Sequence, residues 1–170
     1  NCILRWTFYC FASFCLFVMG WKAKGEIPDI KKYILIAAPH SSNWDFVFFL
    51  LIIFKFNITA HWMGKHTMFK WPFKWLLKRL GGISVYRSEQ GNIVQYLTDI
   101  FEKSKELIIT IAPSGTRKKV VKWKTGFYHI ACQAKVPIVF GFIDYKQKIA
   151  GIGPIFHPSG DINADMKLIR

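Results

Sequence analysis

The sequence predicts a single α/β domain in which a largely parallel sheet is flanked by helices. Three short runs of apolar residues, at 33–38, 107–112 and 136–143, are nearly free of polar positions. Such runs are typical of strands that are buried on both faces. Helical segments separate them along the chain, and this alternation indicates parallel βαβ units rather than hairpins. The 170 residues are enough for one domain with a substantial core.

The N-terminal segment, residues 1–24, is the most apolar part of the chain. No charged residue lies within 6–21, and Arg5, Lys22 and Lys24 flank this stretch. The stretch is shorter than the roughly 20 residues that cross a bilayer as a helix. It is therefore a tilted or truncated span, a re-entrant hairpin, an interfacial anchor or a buried core helix. The flanking basic residues favour association with a membrane.

The remaining elements follow from local patterns. The helix predicted at 44–56 is apolar on every side, which indicates deep burial or contact with lipid. The helix predicted at 69–80 carries lysines at four-residue spacing, so it is either a membrane-surface helix or a core helix with a solvated face. The helix predicted at 90–103 is amphipathic. The other predicted elements are strands at 58–63 and 83–86 and a helix at 125–134.

Charge and aromatic content narrow the class of partner. Lysine and arginine total 24 against 10 acidic residues, which gives a net charge of +14, and 52% of the residues are hydrophobic, with 16 Phe and 7 Trp. Basic charge combined with many aromatic residues suits an anionic membrane surface. No nucleic-acid-binding motif is present, and the aromatic residues lie in apolar runs. We therefore expect membrane lipid, and not nucleic acid, as a partner.

The cysteines bear on the compartment. Cys2, Cys10, Cys15 and Cys132 form no Cys-x-x-Cys pair, which argues against a zinc site and against a disulfide framework. A reducing environment is the simpler interpretation.

The sequence thus predicts a membrane-associated protein at the cytoplasmic face, with a membrane segment at 1–24 and one domain at 25–170. It starts without Met and stops within a segment, so we expect a fragment that lacks residues at both ends.

A histidine and an aspartate follow the first predicted strand. His40 and Asp45 are separated by four residues, and the intervening Ser42 and Asn43 are good N-cap residues. The two side chains can meet if His40 lies in the loop and Asp45 lies in the first turn of the next helix. Imidazole is a general base near neutral pH, and a carboxylate can orient it and stabilise its protonated form. The alternative is a pair with only a structural role.

Two further polar positions follow predicted strands. Ser114, Gly115, Thr116 and Arg117 form a turn in which the glycine allows a tight bend and the arginine offers a fork matched to phosphate oxygens. Arg87 follows the short strand at 83–86 in the same way. Together they predict a site for an anion such as a phosphate monoester, with a basic surface turn as the alternative for Arg117.

Four blocks in order along the chain resemble the lysophospholipid acyltransferase family, which includes the 1-acylglycerol-3-phosphate acyltransferases. His40 and Asp45 match its His-x4-Asp block, and 82–87 resembles its glycine-led strand that ends in arginine. Residues 114–117 match its Glu-Gly-Thr-Arg block with serine in the place of glutamate. The apolar strand opened by Val-Pro resembles 136–139.

The resemblance implies a glycerol-phosphate-acyltransferase-like fold and transfer of an acyl group. The donor would be an acyl thioester, either acyl-CoA or acyl carrier protein, and the acceptor the free hydroxyl of a lysophospholipid such as 1-acylglycerol-3-phosphate. His40 would be the general base and Asp45 its orienting partner. Residues 115–117 would contact the phosphate, with Arg87 and Ser114 as further candidates, and no metal or bound cofactor would take part.

Two other functions remain open at this point. Ser114 removes a carboxylate that the family normally has, which is compatible with a different lyso-acceptor. A non-catalytic membrane or lipid-binding module on the same fold is the second alternative. Such a module would not need an intact His-Asp pair, yet His40 and Asp45 are both present.

Overall fold

The computed structural model describes residues 2–38, 42–85, 90–116 and 123–169, and in these residues a seven-stranded sheet forms the centre. The helices are α1 (Cys2–Val18), α2 (Trp44–Lys55), α3 (Lys74–Arg79), α4 (Gln90–Lys103), α5 (Gly126–Ala134) and α6 (Ile162–Ile169). The strands are β1 (Lys22–Lys24), β2 (Lys32–Ala37), β3 (His61–Lys65), β4 (Gly82–Val85), β5 (Leu107–Ile111), β6 (Ile138–Asp144) and β7 (Ile149–Phe156).

The sheet is mostly parallel, as predicted. Its strand order is β1-β7-β6-β2-β5-β3-β4, and the five strands from β6 to β4 all run in one direction. β7 runs antiparallel to β6, and β1 pairs in parallel with β7. The carboxyl ends of β2, β5, β3, β4 and β6 therefore meet at one edge of the sheet.

Side chains along β2 alternate between the two faces of the sheet, and each face belongs to a different hydrophobic core. Ile34 and Ile36 lie in the larger cluster with buried residues of α4, α5 and α6. Tyr33 and Leu35 point to the opposite face, where Phe49 of α2 packs against them. Because successive strand residues point to opposite faces, these contacts place helices on both sides of the sheet.

The N-terminal helix α1 packs one face on α2. Ala12 and Leu16 are buried in a cluster with Phe48 of α2, and the rings of Phe8 and Phe54 stack at 4.7 Å between centroids. The remaining face of α1 is exposed. Across the described part of the chain, no helix has both the length and the hydropathy needed to cross a membrane.

The helix predicted at 69–80 was too long. A single 3-10 turn at His66–Met68 precedes this segment, and the α-helix begins only at Lys74. Pro72 accounts for the difference, because proline lacks the backbone donor and its ring clashes with the preceding turn of a helix.

Two glycines allow β1 to lie against β7. A Cβ on Gly151 would come within 1.7 Å of the Lys24 carbonyl oxygen, and a Cβ on Gly25 would come equally close to the Ile152 carbonyl oxygen.

We expect Gly151→Ala to lower the free energy of unfolding by at least about 2 kcal/mol, because the clash is with backbone. Thermal unfolding followed by circular dichroism measures this. Gly126→Ala is the control, since a Cβ there meets nothing within 4 Å; equal melting temperatures for the two variants would contradict the close approach.

Candidate active site

A cavity of about 1260 Å³ opens at the edge where the parallel strands end, the usual position of ligand sites in α/β sheets. One part of its wall is apolar and follows α2 toward the body of the sheet. Apolar side chains that line it include Leu35, Phe46, Phe49, Ile52, Ile53, Ile58, Trp62 and Ile152. Among the described residues, the polar side chains on the wall are Asn43, Asp45, Lys65, Thr110, Thr116, Lys124, Thr125 and His129.

Asp45 lies in the first turn of α2, directly after the loop that follows β2. Its side chain exposes only 5% of its surface and yet lines the cavity. The Ser42 backbone N–H donates to Oδ2 at 2.8 Å, and the Tyr145 hydroxyl donates to Oδ1 at 2.5 Å. A negative charge in the first turn of a helix is also favoured by the helix dipole. The predicted position of Asp45, at the start of the helix, is thus confirmed.

Asp165 is the second buried carboxylate among the described residues, and its role is structural. It accepts hydrogen bonds from the Tyr128 hydroxyl at 2.7 Å and from the backbone and hydroxyl of Ser159 at 2.6 and 2.7 Å. Burial acts to raise the pKa of Asp165, but these hydrogen bonds outweigh it and hold the pKa below the usual value. The network joins α6 to α5, and neither Asp165 nor Tyr128 lines the cavity.

The turn after β5 brings part of the predicted anion site to the same cavity. Gly115 adopts a φ of +60°, and its N–H donates to the Ala112 carbonyl at 3.0 Å. The Ser114 hydroxyl donates to the Thr116 carbonyl at 2.8 Å, so this serine closes the turn. Gly115 and Thr116 line the cavity together with Asp45.

His40, Arg87 and Arg117 lie outside the described residues. Ala38, Val85 and Thr116 are the nearest described residues before them along the chain, and all three line the cavity. The described chain that precedes each of these three residues therefore reaches the wall of the cavity.

Sequence reasoning did not single out Tyr145 or Lys65 as site residues. Lys65 ends β3, and the Lys124 side chain lies 3.3 Å from where a Cβ of Gly115 would be. The position of Lys65 at the end of a parallel strand is the signal that could have found it. Asp144 accepts hydrogen bonds from the backbone N–H groups of Lys146 and Gln147, both at 2.9 Å, and so holds the turn after β6.

The described residues hold no group of three or more His, Cys, Asp or Glu side chains that could bind a metal ion. His129 lines the cavity, but it is exposed and its ring contacts Tyr128 edge to face at 6.2 Å.

Comparison with known proteins defines the class. A sequence model of the acyltransferase family matches residues 22–140, more than half of the chain, so the chain belongs to that family, as the four sequence blocks predicted. The structure of the chain is similar to the crystal structure of PlsC, the 1-acyl-sn-glycerophosphate acyltransferase of Thermotoga maritima, with a TM-score of 0.67. The alignment covers 97% of this chain and 74% of that one, at 18% sequence identity, which shows a shared fold. No curated protein matches the chain significantly.

Proposed function

We propose that the chain transfers an acyl group from an acyl thioester, acyl-CoA or acyl carrier protein, to the free hydroxyl of a lysophospholipid such as 1-acylglycerol-3-phosphate. The observation that carries this proposal is the buried Asp45 carboxylate, held in the first turn of α2 on the wall of the cavity. A buried carboxylate that faces a cavity is a recurring feature of catalytic sites. The family model covers this segment.

In the proposed reaction His40 is the general base. It accepts the proton of the acceptor hydroxyl while the hydroxyl oxygen attacks the thioester carbonyl carbon. The carbon–sulfur bond then breaks, and the thiolate leaves and takes up the proton from the imidazolium. Asp45 orients the imidazole and balances its positive charge. The step needs neither an acyl-enzyme nor a metal ion.

The two parts of the cavity wall suit the two parts of such substrates. The apolar wall along α2, with Phe49, Ile52 and Ile53, suits a hydrocarbon chain. The polar rim offers Thr116 and the cations Lys65 and Lys124. Cations and turn amides suit a phosphate monoester, and anchoring the phosphate would hold the hydroxyl close to His40.

We further propose that α1 and the region of α3 bind the membrane surface. On α1 the side chains of Trp6, Phe14 and Phe17 are 66%, 66% and 81% exposed. Before α3, Trp71 is 91% exposed, and lysines are interspersed with the aromatic residues that follow it. Exposed aromatic residues with basic neighbours suit the interface of an anionic bilayer. This location would place the cavity close to lipid acceptors.

The acceptor is tested with a panel of headgroups. We expect wild-type protein in mild detergent to acylate lysophosphatidic acid more efficiently than neutral lyso-lipids. Arg117→Ala should raise KM for lysophosphatidic acid about tenfold or more, because it removes a charge-assisted contact to phosphate. Labelled acyl-CoA and thin-layer separation of the products measure both. Lys105→Ala is the control, since this exposed lysine after α4 does not line the cavity. Equal rates with neutral lyso-lipids would contradict the phosphate site.

A further inference from the structure

We infer that Tyr145 is a positioning residue of the proposed acyl transfer, and that it acts through Asp45. The inference rests on the proposed function. Tyr145 lies in the turn between β6 and β7, 100 positions from Asp45 along the chain, and its hydroxyl donates to Asp45 Oδ1. Tyr145 itself does not line the cavity, whereas Asp45 does.

The hydrogen bond from Tyr145 holds one of the two carboxylate oxygens of Asp45 in place. The Tyr145 hydroxyl donates to Oδ1 at 2.5 Å, and the Ser42 N–H donates to Oδ2 at 2.8 Å. With a donor at each oxygen, rotation of the carboxylate about its bond to Cβ would break both contacts. The orientation of Asp45 is thereby set before any substrate binds.

The position of Tyr145 is set by its own neighbours. Asp144 holds the turn by accepting from the N–H groups of Lys146 and Gln147. The Tyr145 ring packs edge to face on Trp21 at 5.3 Å and on Phe48 at 5.7 Å, and those two rings stack at 3.8 Å. Tyr145 is 42% exposed overall. Its ring nevertheless contacts aromatic residues, and its hydroxyl contacts the buried Asp45 carboxylate.

The hydroxyl remains a donor throughout the range of an enzyme assay. Partial burial, together with the hydrogen bond to Asp45, raises the pKa of Tyr145 to about 12. A neutral hydroxyl stabilises the carboxylate without neutralising it, so Asp45 keeps the charge that it needs beside an imidazolium.

The test is Tyr145→Phe, which removes the hydroxyl and keeps the ring. We expect kcat for acyl transfer from acyl-CoA to lysophosphatidic acid to fall about tenfold, with KM for both substrates within about twofold of wild type. Loss confined to kcat is expected because Tyr145 touches the orienting carboxylate and not the substrates. Melting temperatures by circular dichroism accompany the kinetics.

Tyr33→Phe is the matched control. The Tyr33 hydroxyl is buried and has no hydrogen-bond partner, so its removal should leave kcat within about twofold. A kcat for Tyr145→Phe within twofold of wild type would overturn the inference, as would a change confined to KM. So would a loss of kcat that matches the loss of folded protein at the assay temperature, which would make the role structural. If the wild-type protein transfers no acyl group, the proposed function itself is wrong. If the wild-type protein is active and Tyr145→Phe has the same kcat, only the role of Tyr145 is wrong.

Discussion

Replacing His40 by alanine is expected to lower kcat for acyl transfer about a thousandfold. A lipid hydroxyl is a poor nucleophile near neutral pH, and without a base its proton must leave to water in a site shaped for lipid. KM should change little, because the proposed phosphate and acyl contacts lie elsewhere on the cavity wall. Initial rates with labelled acyl-CoA over a range of acceptor concentrations separate the two constants.

His157→Ala is the matched control for this prediction. His157 is exposed just after β7 and does not line the cavity, so its removal should leave kcat unchanged. A kcat for His40→Ala within tenfold of wild type would contradict the role of His40 as general base. Equal losses in both variants would point to a general effect on folding.

Replacing the exposed aromatic residues of α1 is expected to weaken membrane binding about a hundredfold. In the triple variant Trp6→Ser, Phe14→Ser and Phe17→Ser, each change removes an exposed ring, and each ring partly buried in the interface contributes about 1 kcal/mol. Since about 1.4 kcal/mol corresponds to a factor of ten, the three together give roughly two orders of magnitude. Sedimentation with vesicles of phosphatidylcholine and phosphatidylglycerol measures the partition coefficient.

The control removes exposed apolar residues from the opposite side of the sheet. Tyr96 on α4 and Leu168 on α6 are 54% and 76% exposed, and their helices pack on the face away from α1. The double variant Tyr96→Ser and Leu168→Ser should bind vesicles as wild type does. Equal partition of the triple variant and this control would contradict α1 as the membrane-binding surface.

The fold class could be predicted because buried parallel strands leave a direct pattern, a short run of apolar residues that ends where polar residues begin. The pattern is less informative at element ends. The strand predicted at 58–63 begins only at His61, because Asn57 adopts a φ of 56° and the Ile58 N–H donates to the Ile53 carbonyl at 2.8 Å. Residues 57 and 58 therefore complete the end of α2, a helix stop that asparagine commonly provides.

The C-terminal elements were missed for different reasons. β7 contains Gly151, Gly153 and Pro154, and glycine and proline weaken the pattern of a strand. The start of α6 carried a usable signal, because Asp161 accepts hydrogen bonds from the N–H groups of Asn163 and Ala164. Aspartate before a helix is a strong N-cap residue.

The candidate site was predictable only where local sequence specifies it. The N-cap residues before α2 indicated that Asp45 would lie in the first turn, and the structure places it there. The contact of Asp45 with Tyr145 joins residues 100 positions apart, and it depends on β6 pairing beside β2. No local pattern reports such a contact, because it arises from the order of strands in the sheet.

The most direct test of the central claim is product formation by the chain itself. Purified protein in mild detergent would be supplied with lysophosphatidic acid and a labelled acyl donor, first acyl-CoA and then acyl carrier protein, and the lipids analysed by mass spectrometry. The proposed function predicts labelled phosphatidic acid from wild type and none above background from His40→Ala. Folded wild-type protein that yields no labelled lipid with either donor, while still binding vesicles, would contradict catalysis and leave a lipid-binding module.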